Sequence, residues 1–299
     1  MPILESQLET WSHRSQTTTA VRAHEDIRAA LKAPLSPVRG VDFEDYLQGS
    51  YRNYTNTVRD HDVDIVLQLN TCYTSDFSLL SYQDAAPIQR LALPAIYSLT
   101  QFHPAVVETL GNALGWYRVS EGNKSIKVAG SPGVRLDADV IVAQQHRLYY
   151  ATVPYPQYVE GISLYHRVTG RLVVNYPKQH YANGIAKQTN TNGWFKPTVR
   201  IFKNARSYMV DHGILAEDVA TSYFLQGLLY NVPDEIFGGG VRLNFLGVLI
   251  WLAENIDQFE RFVCQNRLIP LFGVSDEQWQ VSRAVQFLLA LLGLNRTWR

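Results

Sequence analysis

Gln48–Leu69, QGSYRNYTNTVRDHDVDIVLQL, is the stretch that decides how the rest of the chain is read. It opens on a Gly49-Ser50 turn, crosses a polar segment, and reaches Asp62 and Asp64 at the head of an apolar run. Val63 to Leu69 has strand composition, rich in Val, Ile and Leu and bounded by polar residues. Side chains alternate along a strand, so Asp62 and Asp64 share one face, roughly 7 Å apart along it. Two carboxylates on one face beside a buried strand repel each other and resist desolvation. A divalent cation between them removes both penalties. Glycine lets the backbone approach a phosphate closely, and serine adds an N–H and a hydroxyl. The stretch therefore reads as a metal–nucleoside triphosphate site. A lone Asp-x-Asp at a strand start is most often a solvated edge. The Gly-Ser turn ahead of it, and Ile65, Val66 and Leu67 after it, weigh against that.

Working outward, the chain of 299 residues is 46% hydrophobic and 18% charged, ample for a core and unlike a disordered protein. Lys+Arg and Asp+Glu both number 27, which excludes a general basic field for holding nucleic acid. Cys72 and Cys264 are too few for a zinc site or a disulfide framework, so reduced cytosolic thiols are the plain reading. MPILESQLETW has no apolar core of a secretory signal, and Leu243–Ala253 is too short to cross a membrane. A soluble, cytoplasmic protein away from membranes is expected.

Leu4, Leu8 and Trp11, resumed by Ile27 and Leu31, predict one long helix from residue 3 to about 33, ended by Pro34 to Pro37. Thr74 to Ser78 reads as a polar break. A helix is expected from about Pro104 to Trp116, with Pro104 near its first turn, and residues 120–125, SEGNKS, as a turn. Gly133 to Val142 is the second informative strand, with Asp137 and Asp139 on one face. An acid inside an apolar strand is costly unless paired or metal-bound. The competing reading is a surface strand with one polar face.

Leu164 to Tyr176 predicts a hairpin around Thr169-Gly170, closed by Pro177. Lys178 to Pro197 reads as a loop leading into a helix over about 195–210. The basic side of that helix, Lys196, Arg200, Lys203 and Arg206, reads equally well as merely solvated. Thr221 opens a further helix that Val232-Pro233 ends. Arg242 to Gln265 and Ser275 to Leu294 predict two long apolar helices, with Ser275-x-x-Gln278 as a capping box. Strands fall between residues 38 and 176 and helices after 193. That split suggests an α+β catalytic lobe, a helical lobe and a cleft between them.

Gly-Ser followed at a distance by Asp-x-Asp and apolar residues resembles the signature of the DNA polymerase β-like nucleotidyltransferase superfamily. QGSYRNYT with DHDVDIVL, joined by NYPKQH, KPTVRIFKNARSYM and SYFLQGLLYNVPDEIF, resembles the narrower bacterial cGAS/DncV-like nucleotidyltransferases, in particular their uridine-using CdnE-like group. The resemblance implies an α+β fold in which a polymerase β-like nucleotidyltransferase lobe with a mixed sheet packs on a helical lobe. Residues 1–37 would be a brace helix, 38–192 the catalytic lobe and 193–299 the helical lobe. Asp62, Asp64 and Asp139 would hold two Mg²⁺ ions, or Mn²⁺ in their place. Asp139, followed by Val140-Ile141, matches the family's third acid better than Asp137 does. Gly49 and Ser50 would bind the donor triphosphate, helped by Lys203 and Ser222, Gln48 would be a further nucleotide-binding residue, and Tyr223 would stack on a base.

Asn175 would read a pyrimidine, its amide pairing with the O4 and N3–H edge of uracil. The alternative is an Asn that caps the turn before Pro177. The implied activity is synthesis of a cyclic dinucleotide or oligonucleotide second messenger from NTPs, UTP and ATP favoured, with release of pyrophosphate. Such a messenger acts in anti-phage (CBASS) signalling through a product-sensing effector protein. The chain lacks the zinc insertion and basic surface of the animal DNA sensors in this family, so a monomer without a DNA or RNA activator is expected. It ends in Asn295–Arg299 without a small last residue, so conjugation of the C-terminus is not expected. Two other readings stay open. One is a polymerase β-like transferase with a tRNA, protein or small-molecule acceptor; the other is a non-catalytic nucleotide-binding protein of the same fold.

Overall fold

The computed structural model describes residues 1–15, 17–91, 93–275 and 278–298. The N-terminal stretch forms two helices, α1 (Glu5–Ser12) and α2 (Thr18–Lys32), where one long helix was expected. Its two apolar stripes are separated by a polar segment, and the backbone is already extended at His13, with ψ 148°. Each half serves a different core. Leu8 of α1 is buried with the helices of the second half of the chain, whereas Ala23, Ile27 and Leu31 of α2 pack against the sheet. A continuous brace would have needed one stripe.

The chain makes two compact units: Thr17–Tyr51 with His61–Lys178, and Met1–Gln16 with Arg52–Asp60 and Gln179–Arg299. The partition differs from boundaries at 37 and 192, because short stretches near the N-terminus belong to the helical unit. The sheet unit carries β1 (Phe43–Leu47), β2 (Asp62–Asp76), β3 (Val119–Glu121), β4 (Ile126–Val128), β5 (Asp137–Ala151), β6 (Gln157–Tyr165) and β7 (Leu172–Asn175). These form one mixed sheet in the order β1-β2-β5-β4-β3, with β6 also on β5 and β7 on β6. Among the named strands of the described residues, only β2 and β5 pair in parallel; the other ladders are antiparallel.

Alternation explains why the sheet has one wet end. Val63, Ile65 and Leu67 of β2, with Ala138, Val140 and Val142 of β5, point back into a core shared with α2 and α5 (Leu99–Leu114). Asp62, Asp64 and Val66, with Asp137, Asp139 and Ile141, must then point forward. β2 does not break at Thr74; it runs to Asp76 through an irregularity between Leu69 and Tyr73. α5 starts earlier than expected, under a Ser98–Gln101 capping box, so Pro104 lies inside it. The sheet unit also carries two shorter α-helices, α3 (Gly49–Asn53), which begins there, and α4 (Tyr82–Arg90), and a 3-10 turn at Trp116–Arg118.

The helical unit is built from α6 (Pro177–Asn190), α7 (Phe195–Asp211), α8 (Ser222–Tyr230), α9 (Val241–Glu254) and α10 (Val281–Thr297). α6 occupies the segment read as a loop. Its buried positions His180, Gly184 and Lys187 keep helical spacing without being apolar, so hydropathy carried no period there. Phe195, Phe202, Phe224, Phe245, Phe259 and Phe287 are fully buried at its centre. Gln278 Oε1 does accept from Ser275 N at 3.3 Å, but α10 begins only at Val281, so the contact closes a turn rather than capping a helix. Asp276 and Glu277, between them, lie outside the described residues. Cys72 and Cys264 are free and buried, and no helix among the described residues is long and apolar enough to cross a membrane.

Candidate active site

The parallel register of β2 on β5 sets Asp62 opposite Asp137 and Asp64 opposite Asp139. Neighbouring strands lie about 4.8 Å apart, so four acids come together at one end of the front face. The structure distinguishes the two on β5. Gly130 N–H donates to Asp137 Oδ1 at 2.6 Å, which commits that carboxylate to shaping the preceding loop. Asp139 sits half-buried between Asp64 on β2 and Lys127, its register partner on β4. Sequence reasoning missed Lys127, although Ile126-Lys127-Val128 alternates in the same way as the strand it pairs with.

Gly49 is brought to the acids by the β1–β2 pairing. Leu47 pairs with Ile65, and Gln48 N–H donates to Asp64 O at 2.9 Å. The chain then turns at Gly49 with φ +66°, and a Cβ added there would collide with the Asp64 carboxylate. Only glycine satisfies both conditions. Ser50 follows in α3, and Gln48 Oε1 is buried with no hydrogen-bond partner among the described residues. An open cavity of about 450 Å³ lies against this end of the sheet, lined among others by His61, Asp62, Lys127, Asp137 and Asp139.

As the side chains stand, no three His, Cys, Asp or Glu among the described residues converge into a metal cage. Mg²⁺ seldom needs one. It is commonly held by one or two carboxylates, with its octahedron completed by substrate phosphates and water. Asp64 and Asp139 face each other across one strand spacing, with Asp62 beside them and open space in front. Those hard oxygen donors fit that mode of binding.

Farther along the same face, Val66, Ile141, Ile162, Leu164 and Val173 form a small apolar floor with Tyr46 against it. Asn175 pairs with Ile162 at the end of β7, so its side chain belongs to the acid-bearing face. Its Oδ1 accepts from Tyr176 N–H at 2.8 Å, the local turn contact that was the alternative reading. That contact occupies the carbonyl oxygen and leaves the amide N–H₂ as the group it can offer a base.

The remaining residues implied by resemblance lie in the helical unit. Thr221 caps α8 by accepting from Phe224 N–H, which places Ser222 exposed at the first helical position. Tyr223 lies half-buried on the same turn. Burial, then the Cys264 thiol to which its hydroxyl hydrogen-bonds, push that hydroxyl above the usual phenol range. Lys203 is 5% exposed, and its ammonium donates to Asp60 at 2.8 and 3.0 Å and to Thr55 O at 3.0 Å.

The basic side of α7 is therefore not a solvated face. Arg200 donates to Ser12 O and Tyr54 O at 2.5 and 2.6 Å, and burial, then Arg14, pull its pKa down to about 10. Arg14 and Lys196 stand over the Tyr54 ring at 4.3 and 5.0 Å. Together these cations hold the stretch that follows α3, residues 54–60, in which Tyr54 adopts φ +59°. No local signal in the sequence pairs α7 with that loop.

Residues 182–295 match the family model of the cGAS/DncV-like nucleotidyltransferase C-terminal helical domain. The chain is 43% identical over 290 residues to the cyclic UMP-AMP synthase of Rhodothermus marinus, covering 96% of each protein. It is 36% identical over 303 residues to the cyclic nucleotide synthase CdnE01 of Staphylococcus haemolyticus, covering 100% of this chain and 99% of that protein. A solved structure of the Rhodothermus marinus CdnE c-UMP-AMP synthase with Apcpp and Upnpp superposes with a TM-score of 0.88 at 42% identity, covering 99% of this chain and 98% of that one.

Proposed function

The chain belongs to the cGAS/DncV-like nucleotidyltransferases, and we propose that it joins UTP and ATP into a cyclic dinucleotide at the acid-bearing end of its sheet. The observation that carries this reading is the register row Asp62–Asp64 against Asp139, with Gly49 closed onto Asp64. The reaction consists of two transfers. In each, a ribose hydroxyl attacks an α-phosphate, a phosphodiester forms, and pyrophosphate leaves; the second transfer closes the ring. Mg²⁺, when bound, neutralises charge between nucleophile and phosphate and on the departing pyrophosphate.

The chain's own residues do the rest. Asp62, Asp64 and Asp139 hold the cations. Gly49 and Ser50 present backbone N–H groups and a hydroxyl to the donor phosphates, and Gln48 adds a polar group beside them; by family resemblance Ser222 offers a hydroxyl to a nucleotide. Tyr223 offers a flat face to a base. Asn175 donates its amide N–H to a pyrimidine carbonyl, the chemistry that favours uracil. Two features support uridine use: Asn175 on the acid-bearing face, and the likeness to a synthase named for UMP and AMP. The product is a second messenger for an effector protein in anti-phage defence.

Replacing Asp62 and Asp64 together by Asn tests the site. Product formation should fall by at least about a hundredfold, since several kcal/mol of charge stabilisation is lost with the cation, while the circular dichroism spectrum stays unchanged. Asp139→Asn should do comparable damage, and Asp137→Asn, whose partner is a backbone amide, should stay within about fivefold of wild type. More than a few per cent activity in the double variant, or a dead Asp137→Asn, would overturn the assignment.

A further inference from the structure

Tyr223 does not stand alone on α8. Its ring stacks on the imidazole of His180, with centroids 5.5 Å apart and planes 20° from parallel. His180 lies on the first turns of α6 and is 7% exposed. Its Nδ1 is buried with no hydrogen-bond partner among the described residues, so the side chain is not placed there for a polar contact it makes. Its backbone carbonyl accepts from Gln265 Nε2 at 2.6 Å, which fixes the helix turn that carries it. Cys264, next to Gln265 in sequence, takes the Tyr223 hydroxyl. One face of Tyr223 is thus backed by a planar ring and its polar end is anchored.

A buried ring nitrogen without a hydrogen-bond partner is unfavourable for stability on its own account. What the ring provides here is flatness: a thin aromatic plate that sets the tilt of the tyrosine in front of it. Offset stacking of this kind holds ring planes near parallel.

We propose that His180 is a positioning residue: it orients Tyr223 as the platform on which a substrate base stacks. The inference rests on the reading of Tyr223 as that platform. His180 touches no substrate; it acts through the tyrosine. Its loss changes nucleotide binding and leaves the chemistry at the acids alone, so KM should move and kcat should not.

The experiment compares His180→Leu, His180→Phe, Tyr223→Ala and the His180→Leu/Tyr223→Ala double variant, with KM and kcat measured for UTP and ATP separately. His180→Leu should raise KM for one of the two nucleotides five- to twentyfold and change kcat less than threefold. His180→Phe, which restores a flat ring, should return KM to within about twofold of wild type even if the leucine variant folds poorly. In the Tyr223→Ala background, His180→Leu should add nothing further to KM. If Tyr223→Ala leaves both KM values unchanged, the platform reading itself fails. If Tyr223→Ala raises KM but neither His180 variant does, or if leucine and phenylalanine behave alike, the platform stands and the role given to His180 is wrong.

Discussion

Asn175 carries an acceptor and a donor on one amide. Its Oδ1 serves the turn into Tyr176, and Asn175 lies on the face of the sheet that bears the acids. A serine there would keep a turn acceptor and lose the reach of the amide donor. Asn175→Ser should therefore shift incorporation from UTP towards ATP or GTP while synthesis continues, as read from competition among the four NTPs. A product mixture identical to wild type would leave Asn175 as a turn residue only.

His180 also makes a prediction about acid. Burial lowers its pKa from the ordinary 6.5 to about 4, so the folded protein resists a proton that the unfolded chain accepts. Stability from this group is full above about pH 6.5 and declines as pH falls towards 4. The loss is on the order of 3 kcal/mol at most. His24, His103 and His146 are lowered too, each by burial first, and act in the same direction. The contribution of His180 is accordingly the difference between wild type and His180→Leu in urea midpoints measured at pH 7 and pH 4.5. The variant should lose less on acidification; equal losses would show that the imidazole titrates normally.

Among the elements, α7 departs furthest from what its sequence suggests. Lys, Arg, Lys and Arg on one side of an amphipathic helix give no way to tell water from a buried partner, because the partner is a loop more than a hundred residues earlier. The loop's own residues, Tyr54, Thr55 and Asp60, carry ordinary polar character. With Lys203 and Asp60 both largely buried and bonded to each other, Lys203→Met leaves a carboxylate with its charge partner removed. That substitution should cost roughly 3–5 kcal/mol of stability in chemical denaturation. An unchanged midpoint with a raised KM for NTP would instead return the ammonium to the donor phosphates. β2 and β5 were easier. Strict alternation with buried valines and isoleucines fixes which way their acids point, and the strand assignment needed nothing distant. α6 was not legible, since its buried stripe is His, Gly and Lys.

For the whole molecule, sequence revealed class, family and the acids, while the partition into units stayed hidden. Each unit is assembled from separated stretches, with α1 and the Arg52–Asp60 stretch joining the chain from Gln179 onward. Composition changes along a chain cannot report such returns, and one stripe of apolar residues interrupted at His13 looks like one helix until each half finds its own core. The row of acids was legible because all its parts lie close together in one sheet: a glycine turn, two strands and their register.

Synthesis of a cyclic dinucleotide containing uridine is the activity proposed for this row. Purified protein incubated with ATP, UTP, GTP and CTP and Mg²⁺ or Mn²⁺, then treated with phosphatase and read by mass spectrometry, tests it most directly. The expected result is a phosphatase-resistant product with the mass of a cyclic UMP-AMP dinucleotide, absent when Asp64 and Asp139 are replaced by Asn. Only purine products would contradict the uridine reading. No phosphatase-resistant product in any nucleotide mixture, or the same product from the Asp variants, would contradict the claim itself.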